Sequence, residues 1–377
     1  MLKDAPPSAQ RLRRERKLQH HQGADYPPLG CTICPERKIC GGLRTQAAIF
    51  DCLGACCGGK ATCDQVCPNS VAYVDRVREI DGFRLDNVPR APYLLAPRLP
   101  NAVPVIFHGG GRAGPFSADT VAIPLSSLIS IREGKAKYAN GDELRRAFRL
   151  RSDSTIILTG IDQDARIERW WGLGTDQRRS IIRDLIDAKI GVVTTPNFSL
   201  FVDRPRWDDL HSMKRIALVH EEFLSEGMPA ALHVNARTDR DAARWAEYVA
   251  DRPEVTHIAF EFTTGTGRAD RVQQHAAWLS ELAHIVSRPL HLFVRGGGEM
   301  LPMLAATFAG VTALDTSAFM KTIHRKIALN IGFTRPVWAD HPTPFGAPLD
   351  ALLERNWACM KSDLERRAGS LVKLVSG

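Results

Sequence analysis

Past Cys67 the chain has almost no cysteine: of nine in 377 residues, only Cys359 lies beyond that point. The long remainder is therefore no disulfide-stapled scaffold, and Cys359, set in an amphipathic segment, reads as a buried small residue. No uninterrupted apolar run approaches the ~20 residues that cross a bilayer, so no membrane partner is expected. The opening stretch MLKDAPPSAQRLRRERKLQHHQ is charged throughout. It lacks the apolar core and small-residue cleavage site of an export signal, which makes the cytoplasm the expected compartment. No G-x-G-x-x-G follows the first predicted strand and no acidic residue stands in the expected place after one, which argues against an open dinucleotide-binding sheet. The H-x-H of binuclear-metal barrel hydrolases is also missing, since FHGGG offers one histidine and ALHVN places His233 two residues before its loop. No internal repeat or low-complexity tract stands out.

What is present is concentrated at the N-terminal end. Cys31, Cys34, Cys40, Cys52, Cys56, Cys57, Cys63 and Cys67 crowd into one polar segment too short to bury a core of its own. Thiols in the cytosol stay reduced, so a cluster of this density reads as metal ligands. Only one C-x2-C knuckle occurs, where zinc ribbons and fingers show two or a histidine pair. The ending C-x3-C-P is like the last ligands of ferredoxin-type sites. A [4Fe-4S] iron–sulfur cluster is therefore favoured, with zinc as the alternative; eight thiolates fill one site with spares or two complete sites. Such a metal either takes part in chemistry or only folds a cap domain. Ahead of the cysteines, Arg11, Arg13, Arg14, Arg16 and Lys17 form a basic arm, read either as a phosphate-contacting arm or as a solvated leader. The net charge of +8 leans the same way, towards nucleic acid as a partner.

From about residue 100 one theme recurs: a β-branched run, a polar or glycine-bearing loop, then an amphipathic helix. The runs begin at Val103, Thr120, Ser154, Ile190, Ala230, Val255, Pro289 and Val311. Helical stripes lie between them, with Ile181, Ile182, Leu185 and Ile186 on one face and Leu210, Met213, Ile216 and Phe223 on another. Eight strands alternating with helices predict an α/β fold, a (β/α)8 TIM-like barrel carrying a small N-terminal cysteine-rich metal-binding module. The expected boundaries are a basic arm over 1–30, the cysteine module over 31–70, a linker over 71–100, the barrel over 101–335 and a C-terminal helical segment over 336–377 that packs against it.

In a parallel barrel the active site lies where the strands end. The polar residues closing the runs are His108, Asp162, Asn197, Asn235 with Arg237, Glu261, Arg295 with Gly296, Gly297 and Gly298, and Asp315. The glycine run closes the seventh strand and opens a helix, a place for a phosphate or the edge of a polar heterocycle; alternatively it is a loop that needs positive φ. Asp315 is the candidate catalytic carboxylate. It ends a buried strand, where an unpaired charge is costly, and the structural alternative is an ion pair with Arg295 on the neighbouring strand.

The segment PLHLFVRGGGEMLPMLAATFAGVTALDTSAFMKTIHRK resembles the last two strands of the tRNA-guanine transglycosylase superfamily, including its relatives that insert 7-deazaguanines into DNA. The motif-like part runs from His291 to Phe319, and the barrel matches in outline over roughly 100–335. The resemblance implies that Gly296 and Gly297 hold a base and that Asp315 attacks the sugar. It further implies that His108 or Asp162 moves the proton, that Asn197, Asn235 and Glu261 bond the purine edge, and that the substrate is DNA or tRNA. Similar proteins are encoded in mobile or anti-phage clusters, which implies a defence role and operon-encoded protein partners. Two positions depart from the family. His108 stands where an Asp ends its early strand, and its C-x-C-x2-C zinc site near the C-terminus is absent. A non-catalytic nucleic-acid-binding or scaffold barrel, and an iron–sulfur redox enzyme on a barrel, are the rival readings.

Overall fold

The computed structural model describes residues 72–130, 132–200, 206–263, 269–330 and 335–369. The basic arm and the eight clustered cysteines expected to hold metal lie outside the described residues. In chain order the strands are β1 (Ala102–Pro104), β2 (Thr120–Pro124), β3 (Ile129–Ser130), β4 (Lys135–Ala136), β5 (Thr155–Thr159), β6 (Ile190–Thr194), β7 (Ala230–His233), β8 (His257–Glu261), β9 (His291–Arg295), β10 (Gly310–Asp315), β11 (Lys326–Leu329) and β12 (Val337–Asp340). The helices are α1 (Ala72–Glu79), α2 (Gly141–Ala147), α3 (Asp164–Gly172), α4 (Thr175–Asp187), α5 (Arg206–Ser225), α6 (Asp239–Asp251), α7 (Ala269–Val286), α8 (Leu301–Thr307), α9 (Ser317–Ile323) and α10 (Asp350–Gly369).

Eight strands form one parallel sheet in the order β1-β10-β9-β8-β7-β6-β5-β2. Its two edges meet: Val105, just past β1, bridges Ala122 of β2, and the Ile106 N–H donates to the Ala122 carbonyl at 2.8 Å. The result is a nearly closed α/β barrel whose eight strands coincide with the eight runs predicted from the sequence. Alternation along each strand sorts the side chains into two cores. One residue per strand fills the interior: Val103, Ala122, Ile157, Val192, Ala231, Ala259, Phe293 and Leu314. Their neighbours, such as Ile156, Leu158, Leu232, Ile258, Val294 and Ala313, face the helices in a separate outer core. Small Ala122, Ala231 and Ala259 leave the room that Phe293 and Ile157 occupy, so the interior is packed rather than open.

Every barrel strand but β1 is followed by a helix; residues 105–119 return to β2 as a loop. The C-terminal helix α10 fills the vacant place. Its stripe of Leu353, Trp357, Leu364 and Ala368 is buried, and it packs against β1, β10, α8 and α9. Its first turn holds the loop directly. Asp350 accepts the Ala113 and Gly114 N–H groups at 2.8 and 2.9 Å, and Glu354 accepts the Ser117 N–H at 2.8 Å. Burial alone would raise the Asp350 carboxyl, but those two N–H donors hold it below the usual carboxylate range. Asn356, fully buried, ties the same helix to its neighbours: it donates to Thr322 Oγ1 and the Lys326 carbonyl and accepts from the Ala328 N–H.

Two features lay outside the periodicity. The hairpins β3–β4 and β11–β12 are antiparallel additions to the barrel. Residues 72–100 dock on its flank, where Arg90 forks onto Glu254 at 2.8 Å through both bonds and Arg252 donates to the Val88 and Pro89 carbonyls. Cys359 is half-buried rather than buried, and its thiol donates to Asn330 at 3.1 Å.

Candidate functional site at the C-terminal mouth of the barrel

Asp315 is the last residue of β10 and 7% exposed. Alternation places it with Val311 and Ala313 on the helix-facing side of the strand, whereas Leu314 points inward. Its two carboxylate oxygens each accept one backbone N–H at the start of α9, from Ser317 at 3.1 Å and Ala318 at 2.8 Å. Desolvation is the larger effect, and it pushes the Asp315 carboxyl above its ordinary range against the lowering effect of those donors. Arg295, the anticipated ion-pair partner, goes elsewhere: its Nε lies 3.7 Å from Glu261 Oε1. Among the described residues Asp315 has no cationic partner.

His108 is exposed and sits beside this site. Its ring meets the edge of Phe319 in α9, centroids 5.0 Å apart, and the β1 end runs alongside, with the Val105 N–H donating to the Asp315 carbonyl at 2.7 Å. The second expected proton carrier, Asp162, belongs to a different part of the rim. It accepts from the Ser126 hydroxyl, from the Gln163 N–H at 2.7 Å and from Arg166 at 3.3 Å. Together with Ser126, Arg166, Ile167, Trp170 and Pro196 it lines a small recess at the ends of β2, β5 and β6, and Asp315 is not part of that lining.

Glu261 and Arg295 end adjacent strands at paired positions and share the inner face with Ala259 and Phe293. Glu261 is 5% exposed and also accepts from the Thr263 hydroxyl. Gly296 and Gly297 follow at φ +75° and +62°, a region other residues avoid. A Cβ on Gly296 would stand 2.4 Å from Thr263 Cγ2, and one on Gly297 would stand 2.6 Å from the Phe262 ring. Glycine here lets the end of β9 lie directly on the end of β8. The glycines turn the chain toward α8 through Gly298–Met300, so the helix starts at Leu301 rather than at the run itself.

Asn197 and Asn235 are brought together, the Asn235 amide donating to the Asn197 side chain and to the Phe198 carbonyl at 3.0 Å. They join the loops after β6 and β7. Arg237 is buried at the entry to α6, where Asp241 accepts its backbone N–H at 3.0 Å within the Thr238 capping box.

Sequence reasoning passed over one residue of this mouth. His233 ends β7 with 0% exposure, on the inner side with Ala231, and neither ring nitrogen has a hydrogen-bond partner among the described residues. The signal was available in the alternation of AALH, where the second and fourth residues share a face.

Among the described residues no cluster of His, Cys, Asp or Glu could hold a metal ion, and no helix is long and apolar enough to cross a membrane. The fold and the polar strand ends define a parallel α/β barrel protein with a candidate site at the C-terminal mouth. No family model matches the chain, and no curated protein matches it.

Proposed function

We propose that this protein is a pentosyltransferase that exchanges a nucleobase at an N-glycosidic bond in nucleic acid, with Asp315 as the nucleophile. The observation that carries the reading is a carboxylate, 7% exposed, at the C-terminal end of a barrel strand, oriented by two backbone N–H groups and with no cation among the described residues to neutralise it. A buried charge without a cationic partner is costly, and such groups cluster where chemistry is done.

The reaction divides into two displacements. In the first, an Asp315 oxygen bonds to the sugar C1′ as the C1′–N bond breaks, and the electron pair leaves with guanine, which takes up a proton. In the second, a ring nitrogen of a 7-deazaguanine attacks C1′, the bond to Asp315 breaks, and that nitrogen loses its proton. Proton delivery falls to His108, which packs on the helix that Asp315 caps. Glu261 and Arg295 contact the base from the inner face of the mouth. In a duplex the nucleotide would leave the stack first, and the net charge of +8 favours the phosphates that flank it. No step is assigned to a metal.

Asp315→Asn removes the nucleophile and keeps one of the two acceptors at the start of α9, since the amide nitrogen that replaces the other oxygen only donates. Full-length protein is incubated with DNA or tRNA and labelled guanine or 7-deazaguanine. Wild type is expected to incorporate label, and Asp315→Asn to lose about a thousandfold or more in rate with its fold intact. Equal rates in the two proteins would reduce Asp315 to a helix cap; no incorporation by wild type into either polymer removes the transferase reading.

A further inference from the structure

We infer that Arg112 is the positioning residue of His108: it pins the His108 carbonyl to the C-terminal end of α2 and so holds the imidazole beside Phe319 and Asp315. What His108 does rests on the base-exchange reading; where it is held does not.

Arg112 is 4% exposed, a rare place for a guanidinium. Its fork closes on three backbone carbonyls. Nη1 donates to Arg149 at 3.1 Å, and Nη2 donates both to Phe148 and to His108, the latter at 3.2 Å. Phe148 is the C-cap of α2 and Arg149 follows it. Carbonyls at a helix end lack intrahelical donors, and a cation suits that place. Burial lowers the Arg112 guanidinium to about 10, with the Asp350 charge acting the other way, so it stays protonated at physiological pH.

The neighbouring backbone leans on the same helix end. A Cβ on Gly109 would stand 2.2 Å from the Ala147 carbonyl oxygen, so the residue after His108 lies directly against α2. The Phe116 N–H donates to the Arg149 carbonyl at 2.9 Å. Asp350 and Glu354 of α10 hold residues 113–117 from the other side, whereas Arg112 bonds residue 108 itself. The imidazole is exposed and steadied by one ring contact, the edge of Phe319. Its place is therefore set through the backbone, and a misplacement of about 1 Å at a reacting group can cost a hundredfold in rate.

The first readout needs no turnover. In full-length protein carrying histidine labelled at Cε1, the His108 resonance is assigned by its loss in His108→Gln. Contact with Phe319 should set it apart from an unstructured histidine. In Arg112→Met it should move to the unstructured position while the buried histidines keep theirs. Arg112→Lys keeps the charge and loses the fork, so it should fall between the two, and it carries the test if the methionine variant does not fold. The second readout is exchange. Arg112→Met should lower kcat about a hundredfold with KM within about threefold of wild type, and lose the limb of the pH profile that His108→Gln also loses. The double variant should be no slower than His108→Gln, because both changes remove one contribution. An unmoved His108 resonance, additive losses in the double variant, or failure of both Arg112 variants to fold overturns the inference, the last by making Arg112 a structural cap. The two readings fail separately. If wild type exchanges no base, the transferase reading falls and the resonance still decides where His108 is held; exchange dependent on Asp315 with an unmoved resonance removes the role of Arg112 and leaves the transferase.

Discussion

Replacing Asp315 tests the electrostatics of the site through stability alone. Two effects oppose each other at this carboxylate. It satisfies the Ser317 and Ala318 N–H groups at the start of α9, and loss of a cap of this kind costs about 1–2 kcal/mol. It also carries a charge into a site that desolvates it, which is why its pKa lies above the ordinary 3.8. A carboxyl whose folded pKa is raised contributes stability that is complete below the unfolded value and lost as pH rises through the folded one. Asp315→Ala loses the cap at every pH. Asp315→Asn retains one of the two acceptors, much as the protonated carboxyl does, and escapes the charge. Below pH 3.8 the asparagine variant should therefore match wild type, and toward neutrality it should become the more stable of the two. The alanine variant should lie about 1–2 kcal/mol below the asparagine variant throughout, a difference of roughly 2–8 °C in melting temperature for a domain of this size. Denaturant unfolding followed by circular dichroism across the pH range measures all three. An asparagine variant that loses ground to wild type as pH rises would mean the ionised carboxylate is stabilised by a cation, and the reasoning about an uncompensated charge would fail.

Other perturbations probe the frame around the site. Asn356→Ala leaves the Thr322 hydroxyl, the Lys326 carbonyl and the Ala328 N–H without their buried partner and should cost about 3 kcal/mol in denaturant unfolding. Asp350→Ala should free the 105–119 loop that carries His108, seen as faster amide exchange at Ala113 and Gly114 while the strands stay protected. Gly297→Ala combines a left-handed backbone with a 2.6 Å approach to Phe262 and should lower stability by at least about 1–2 kcal/mol. Desolvation lowers His220, His257 and His291 each to about 4, so the unfolded chain takes up protons first on acidification. Their contribution to stability should fall as pH drops from 6.5 to about 4, measurable as proton uptake on unfolding.

The barrel was legible because β-branched runs and helical stripes alternate eight times, and each run became a strand of the sheet. The missing helix after β1 was not legible: FHGGGRAGPF contains no stripe, but nothing local says that a helix more than two hundred residues later will cover the gap. The two-residue strands β3 and β4 are too short for any period to register. At the site, the list of strand-end residues located the mouth, yet it could not sort them by direction. Arg295 and Asp315 end adjacent strands and so suggested an ion pair. The register sets Leu314, not Asp315, beside Arg295, which leaves the arginine to Glu261. One residue of parity decided the pairing, and parity between strands follows from register rather than from either sequence run. His233 was dismissed as falling short of its loop, although that position is what puts it inside the mouth.

In the proposed exchange the sugar is held covalently by Asp315 between the two displacements. Full-length protein is incubated with guanine-containing nucleic acid in the absence of an incoming base, quenched in acid, digested and analysed by peptide mass spectrometry. A pentose-bearing adduct is expected on the peptide that contains Asp315, and none in Asp315→Asn. Release of guanine with that peptide unmodified, or an adduct on Glu261 instead, would contradict it.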